Sequence, residues 1–130
     1  MRKVTSAFAE QNYITKITTE KHEILADEPA ELGGTDAGMQ PSELLCASLA
    51  SCTSITLKMY GDRKGWNFEH AFVEVSLEER EDKTKYLKRL IDLGSTRSPE
   101  MEERALVIAN KCPVHKILEN GIEIITEIKK

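Results

Sequence analysis

No stretch of this sequence is both long and apolar. The longest run without a charge, Leu44 to Leu57, has 14 residues, three of them serine and two threonine, which is too short and too polar to span a bilayer. It reads instead as a buried helix. An apolar segment behind the charged start Met1-Arg2-Lys3 is likewise missing, so the N-terminus does not read as a secretory signal and the expected location is the cytoplasm. An excess of one charge is absent too: charged residues are 31% of the chain, yet the formal net charge is only -4. Neither a nucleic-acid footprint nor a membrane-seeking basic patch is expected. Cysteine is scarce and odd in number, three in all, which argues against a disulfide framework and for reduced thiols. Linkers, internal repeats and low-complexity tracts are lacking, and 130 residues suit one domain, residues 1–130.

What is present divides into runs of strands and runs of helices. Residues 3 to 27 are rich in β-branched and aromatic side chains, broken by turns at Gln11-Asn12 and Glu20-Lys21, and predict a meander of two or three strands. From Asp27 to Gln40 the composition shifts to Asp-Glu-Pro, Gly33-Gly34 and Asp36-Ala37-Gly38, a loop. Pro41 then suits the first turn of a helix running to about Lys64. At about 100° per residue, Leu45, Leu49, Ile55, Thr56 and Met59 lie within about 60° of Cys52, placing that thiol inside an apolar stripe. Ala47, Ala50, Ser54 and Leu57 on the other side are small or apolar, so the helix is expected to be covered all round, for instance by a second subunit.

Alternation from Ala71 to Leu77 predicts a half-buried strand, and residues 84 to 93 pair with it across the turn from Glu78 to Lys83. Leu87, Ile91 and Leu93 share a face that Arg89 interrupts. Such an arginine points either inward, supplying charge, or outward into solvent or a salt bridge. Ser98-Pro99-Glu100 combines an N-cap, an N1 proline and an acidic first turn, opening a helix from Pro99 to Lys111 whose stripe is Met101, Ala105, Ile108 and Cys112. Pro113 breaks it and starts a short helix from Val114 to Glu119; Asn120-Gly121 ends that, and Ile122 to Ile128 reads as a final strand. The predicted fold class is α+β, in the order βββ-α-ββ-αα-β.

A thiol becomes a nucleophile as its thiolate, which a cation or a helix N-terminus favours. Cys112 has the second. Cys52, mid-helix among apolar neighbours, needs a cation from elsewhere. On spacing alone each cysteine is equally readable as a small core residue, and Cys46, about 120° from Cys52 around the helix, as a packed spare thiol. Cys112 and His115, three residues apart, form at most half a metal site; no second short-spaced Cys/His pair exists, and neither metal nor bound cofactor is expected.

Two blocks together narrow these alternatives. Gly33-Gly34-Thr35-Asp36-Ala37-Gly38-Met39-Gln40-Pro41-Ser42-Glu43-Leu44-Leu45 leads to Ala50-Ser51-Cys52-Thr53, then Tyr60 and Arg63-Lys64-Gly65-Trp66, and later Ile108-Ala109-Asn110-Lys111-Cys112-Pro113-Val114-His115. In these residues the chain resembles the OsmC/Ohr family of thiol-dependent peroxidases. The resemblance implies an OsmC-like fold, an intertwined homodimer enclosing long central helices, and Cys52 as peroxidatic with Cys112 as resolving thiol. The implied substrate is a small apolar organic hydroperoxide and the implied reductant an external dithiol. It also implies an activating arginine from the N-terminal half and a glutamate directly after the helix-opening proline. Here no arginine lies between Arg2 and Arg63, and Ser42 follows Pro41, with the acid one place on at Glu43. Glu43 is thus either a catalytic carboxylate or an N-terminal helix carboxylate. The rival to a peroxidase is a non-catalytic OsmC-like dimer that binds an apolar small molecule or serves in a stress response.

Overall fold

The computed structural model describes residues 2–95 and 97–130. They fall into two compact units, one ending at Cys46 and the other running Ala47–Lys130. In the first unit, strands β1 (Thr5–Phe8), β2 (Thr15–Thr18) and β3 (Glu23–Ala26) form the antiparallel meander expected from the sequence. Thr5 faces Thr18 across one pairing and Thr15 faces Ala26 across the other. Asn12 makes the first turn with φ of 47°, which asparagine tolerates better than most residues. The loop that follows is held from inside by Asp27, only 2% exposed. Its carboxylate accepts the N–H groups of Glu28 (2.8 Å), Thr35 (3.1 Å) and Ala37 (3.0 Å) and the Thr35 hydroxyl (2.8 Å).

Helix α1 (Pro41–Lys64) has the predicted limits. At its start Glu43 Oε1 accepts the Gln40 N–H at 2.9 Å, the return half of a capping box, which satisfies a donor that the helix itself leaves unpaired. Its buried residues are Leu49, Thr53, Leu57 and Gly61, an i, i+4 row. This corrects the predicted stripe: the buried face is centred on Thr53 rather than Cys52, while Ile55 and Met59 are 59% and 56% exposed. The helix is covered by its own chain on one side only, because a 24-residue helix has more apolar circumference than one sheet and two short helices occupy. Gly61 lets the chain fold back closely, since a Cβ there would stand 2.9 Å from both the Phe68 ring and the Trp66 carbonyl.

In the second unit β4 (Phe72–Glu79) and β5 (Lys85–Asp92) form a hairpin that pairs Val75 with Arg89. Helix α2 (Pro99–Ala109) opens as predicted, with Ser98 Oγ accepting the Met101 N–H at 3.2 Å, and ends two residues earlier than predicted at the cap Asn110. Helix α3 (Pro113–Asn120) follows, with Cys112 as its N-cap. Leu57, Phe68, Leu93, Ala105 and Ile108 form the core, flanked by Tyr60, Trp66, Val73 and Ile91, so α1, the hairpin and α2 share one apolar centre. The α+β class holds, but the final strand does not form: residues 121–130 have no β pairing, and Ile122, Ile124, Ile125 and Ile128 are 68–84% exposed. Alternation prepares a segment to pair, but a strand exists only where another edge accepts its hydrogen bonds.

Candidate functional site: a thiol pair beside a half-buried guanidinium

Three elements of the second unit converge on two sulfurs. Cys52 comes from the middle of α1 at the edge of its buried face and is half-buried. Cys112 comes from the break between α2 and α3 and is wholly buried. Both are free thiols, and they lie close enough for each to influence the other's ionisation. Residues distant in sequence therefore meet at one point, as the pairing of Cys52 with Cys112 requires. Cys46 keeps a half-buried free thiol near the start of α1.

The two sulfurs titrate in opposite directions. Burial pushes the Cys52 thiol up, and sharing its proton with Cys112 pushes it further, against weaker help from the Val114 N–H and Thr56. Burial also pushes Cys112 up, but there it is outweighed by the Cys52 thiol, the N–H groups of His115 and Val114, and Thr53. Cys112 ends below the ordinary thiol value. Its sulfur makes no formal capping hydrogen bond, so the first turn of α3 acts on it mainly through oriented N–H dipoles, which favour negative charge. The two thiols are close enough to titrate as a pair.

Arg89 completes the site. It shares the inner face of β5 with Leu87 and Ile91 and is half-buried, so of the two orientations open to it, it takes the inward one. Its Nη1 donates to Thr53 Oγ1 (3.1 Å), and its Nη2 donates to Asn110 Oδ1 (3.2 Å) and His115 Nδ1 (3.1 Å). A guanidinium has only donors, so His115 Nδ1 accepts; Nε2 then carries the ring proton and donates to Glu119 Oε2 at 3.1 Å. Both His115 nitrogens are thereby occupied within the protein. Among the described residues no group of three or more His, Cys, Asp or Glu side chains is placed to hold a metal ion, and no helix is long and apolar enough to cross a membrane. Thr53 spends its single proton on the Leu49 carbonyl (2.7 Å), with the Cys112 sulfur as the alternative acceptor.

Of the predicted site residues, the structure brings Cys52 and Cys112 together. Glu43 has its carboxylate on the helix start, the position its N-terminal reading describes. Sequence reasoning did not assign Thr53, Asn110 or His115 to the thiols. The available signals were an arginine interrupting an apolar strand face and three polar groups within one residue of Cys52 or three of Cys112.

Fold and site define a mixed α+β protein carrying a half-buried and a buried thiol side by side. The sequence model of the family described as OsmC-like protein matches residues 34–127, and the chain belongs to that family. Solved structures agree in fold. One is a putative osmotic stress induced and detoxification response protein from Psychrobacter arcticus 273-4 (19% identity, 89% of this chain and 87% of that one, TM-score 0.76). Another is an OsmC-like protein from Mycoplasma pneumoniae (20%, 90% and 86%, 0.70). A third is the organic hydroperoxide resistance protein OhrB of Bacillus subtilis (21%, 88% and 87%, 0.58). Among proteins with curated descriptions, none matches this chain.

Proposed function

We propose that this chain is a thiol-dependent organic hydroperoxide reductase with a redox or stress-protective role. The observation that carries the reading is the proximity of the Cys52 and Cys112 thiols, near enough for their ionisations to be coupled. Membership of the OsmC-like family and the hydroperoxide-resistance name of the Bacillus subtilis relative support it. Cys52, the less buried sulfur, attacks the outer oxygen of ROOH, and the O–O bond breaks. Its proton passes to the Cys112 thiolate and from there to the departing alkoxide, which leaves as alcohol, while the Cys52 sulfur keeps OH as a sulfenic acid. The restored Cys112 thiolate attacks that sulfur, a disulfide forms, and hydroxide leaves. Two electrons have gone to the peroxide; an external dithiol returns them. The cycle needs no metal, and the cytoplasm is the compartment that keeps such thiols reduced.

A cleft of about 380 Å³, lined by Leu49, Leu77, Tyr86, Leu87, His115 and Leu118 together with the charged Lys85 and Glu119, offers a substrate some apolar surface to bury. It also favours the second reading, an apolar-ligand-binding dimer whose thiols oxidise incidentally. A homodimer belongs to both readings: the exposed Ile55 and Met59 of α1 and the unpaired isoleucines of 122–128 await cover that a second copy supplies. Turnover of cumene hydroperoxide with a dithiol separates the readings. Cys52→Ser is expected to be inactive, and Cys112→Ser to react once and then stall or over-oxidise. Equal, slow consumption by wild type and both variants would instead support the binding protein.

A further inference from the structure

A half-buried cation normally faces a carboxylate, because removing charge from water is costly unless it is compensated. Arg89 faces none: it takes part in no ion pair among the described residues, and its three hydrogen-bond partners, Thr53, Asn110 and His115, are uncharged in the arrangement seen. Burial pulls the guanidinium below its ordinary value, and what works against that is negative charge on Cys112 and then Cys52. The attraction is mutual. The titratable groups about the thiols are Arg89 from β5 and His115 from α3, with Glu119 behind the imidazole; α1 contributes Thr53 and Thr56, and the end of α2 contributes Asn110. His115 cannot receive the Arg89 hydrogen bond unless its proton sits on Nε2, and Glu119 accepts it there.

We propose, resting on the redox reading above, that Arg89 compensates the thiolate charge of the Cys52–Cys112 pair from within the same chain, and that His115, braced by Glu119, positions its guanidinium. A cation from β5 thus fills the role for which the region between Arg2 and Arg63 offers no arginine. Arg89 acts on the sulfurs by charge and through Thr53, so its effect appears first in how readily the pair deprotonates.

The test is alkylation of the fully reduced protein by iodoacetamide between about pH 5 and pH 10, with the modified cysteine identified by peptide mass. Arg89→Gln is expected to move the reactivity midpoint up by about one pH unit or more, about a tenfold loss of reaction at neutral pH. Arg89→Lys should recover part of that loss, and His115→Ala should give a smaller upward shift. A midpoint unchanged in Arg89→Gln, or an Arg89→Lys protein no better than Arg89→Gln, overturns the proposal. If circular dichroism shows Arg89→Gln to be unfolded, His115→Ala decides: an upward shift upholds the positioning role and an unchanged midpoint overturns it. Because no hydroperoxide is present, this measurement is independent of turnover, and the redox reading fails separately, on a Cys52→Ser protein as active as wild type.

Discussion

Asp27 and Arg89 are both charges withdrawn from water, one in each compact unit, and they are settled in opposite ways. Asp27 is satisfied locally: every donor to it lies between Glu28 and Ala37, and three are backbone N–H groups that have no comparable partner without it. Arg89 draws on α1, the end of α2 and α3, and each partner keeps another bond or reaches solvent without it. The first charge serves the loop that contains it. The second has no carboxylate partner among the described residues and lies near two sulfurs.

The strongest way to break this comparison is to replace each charge by leucine. Asp27→Leu strands several donors, and the expected result is a Tm lower by about 5–10 °C in a thermal melt followed by circular dichroism. Arg89→Leu removes a desolvated cation whose neighbours are otherwise satisfied, and Tm should change by less than about 2 °C while thiol reactivity falls. Equal losses of stability would erase the distinction.

Acid sharpens it further. Burial pushes the Asp27 carboxyl up, but the bonds from Ala37, Thr35 and Glu28 outweigh it and hold the group below its ordinary 3.8. A depressed folded value means the unfolded chain binds the proton more tightly, so the stabilisation is fully present above the unfolded value and is lost as pH falls through the folded one. Below about pH 4 the wild type should therefore lose stability more steeply than Asp27→Asn in urea titrations. Parallel curves would show that the carboxylate contributes nothing.

The smallest effects come from removing one partner of each charge. Thr35→Ala deletes the 2.8 Å hydroxyl bond to Asp27 and should lower Tm by about 2–4 °C. Asn110→Ala deletes the 3.2 Å bond to Arg89 and should leave Tm nearly unchanged, with a reactivity midpoint between those of wild type and Arg89→Gln. A large stability loss from Asn110→Ala would make the cluster structural.

Elements whose stability is local were legible in the residues. Pro41 and an uninterrupted helical run fixed α1 to its observed ends, and Ser98-Pro99 fixed the start of α2, because caps and ring constraints act over three or four residues. The segment Ile122 to Ile128 was misread for the complementary reason: its pattern is right for a strand, but among the described residues no strand edge pairs with it. Within the candidate site, the two thiols that the structure brings together were both singled out from their motifs. The inward orientation of Arg89 could not be read, since a side chain breaking an apolar face is compatible with either direction until its partners are in place.

By itself, then, the sequence determined the helices, the hairpin and the meander, since turn geometry, capping and periodicity are encoded within a few neighbours. Only the tertiary structure decided that Cys52 and Cys112 meet and that a strand arginine, held by an imidazole and an amide, turns inward toward them. Those facts depend on distances between groups that the chain keeps dozens of residues apart until it folds.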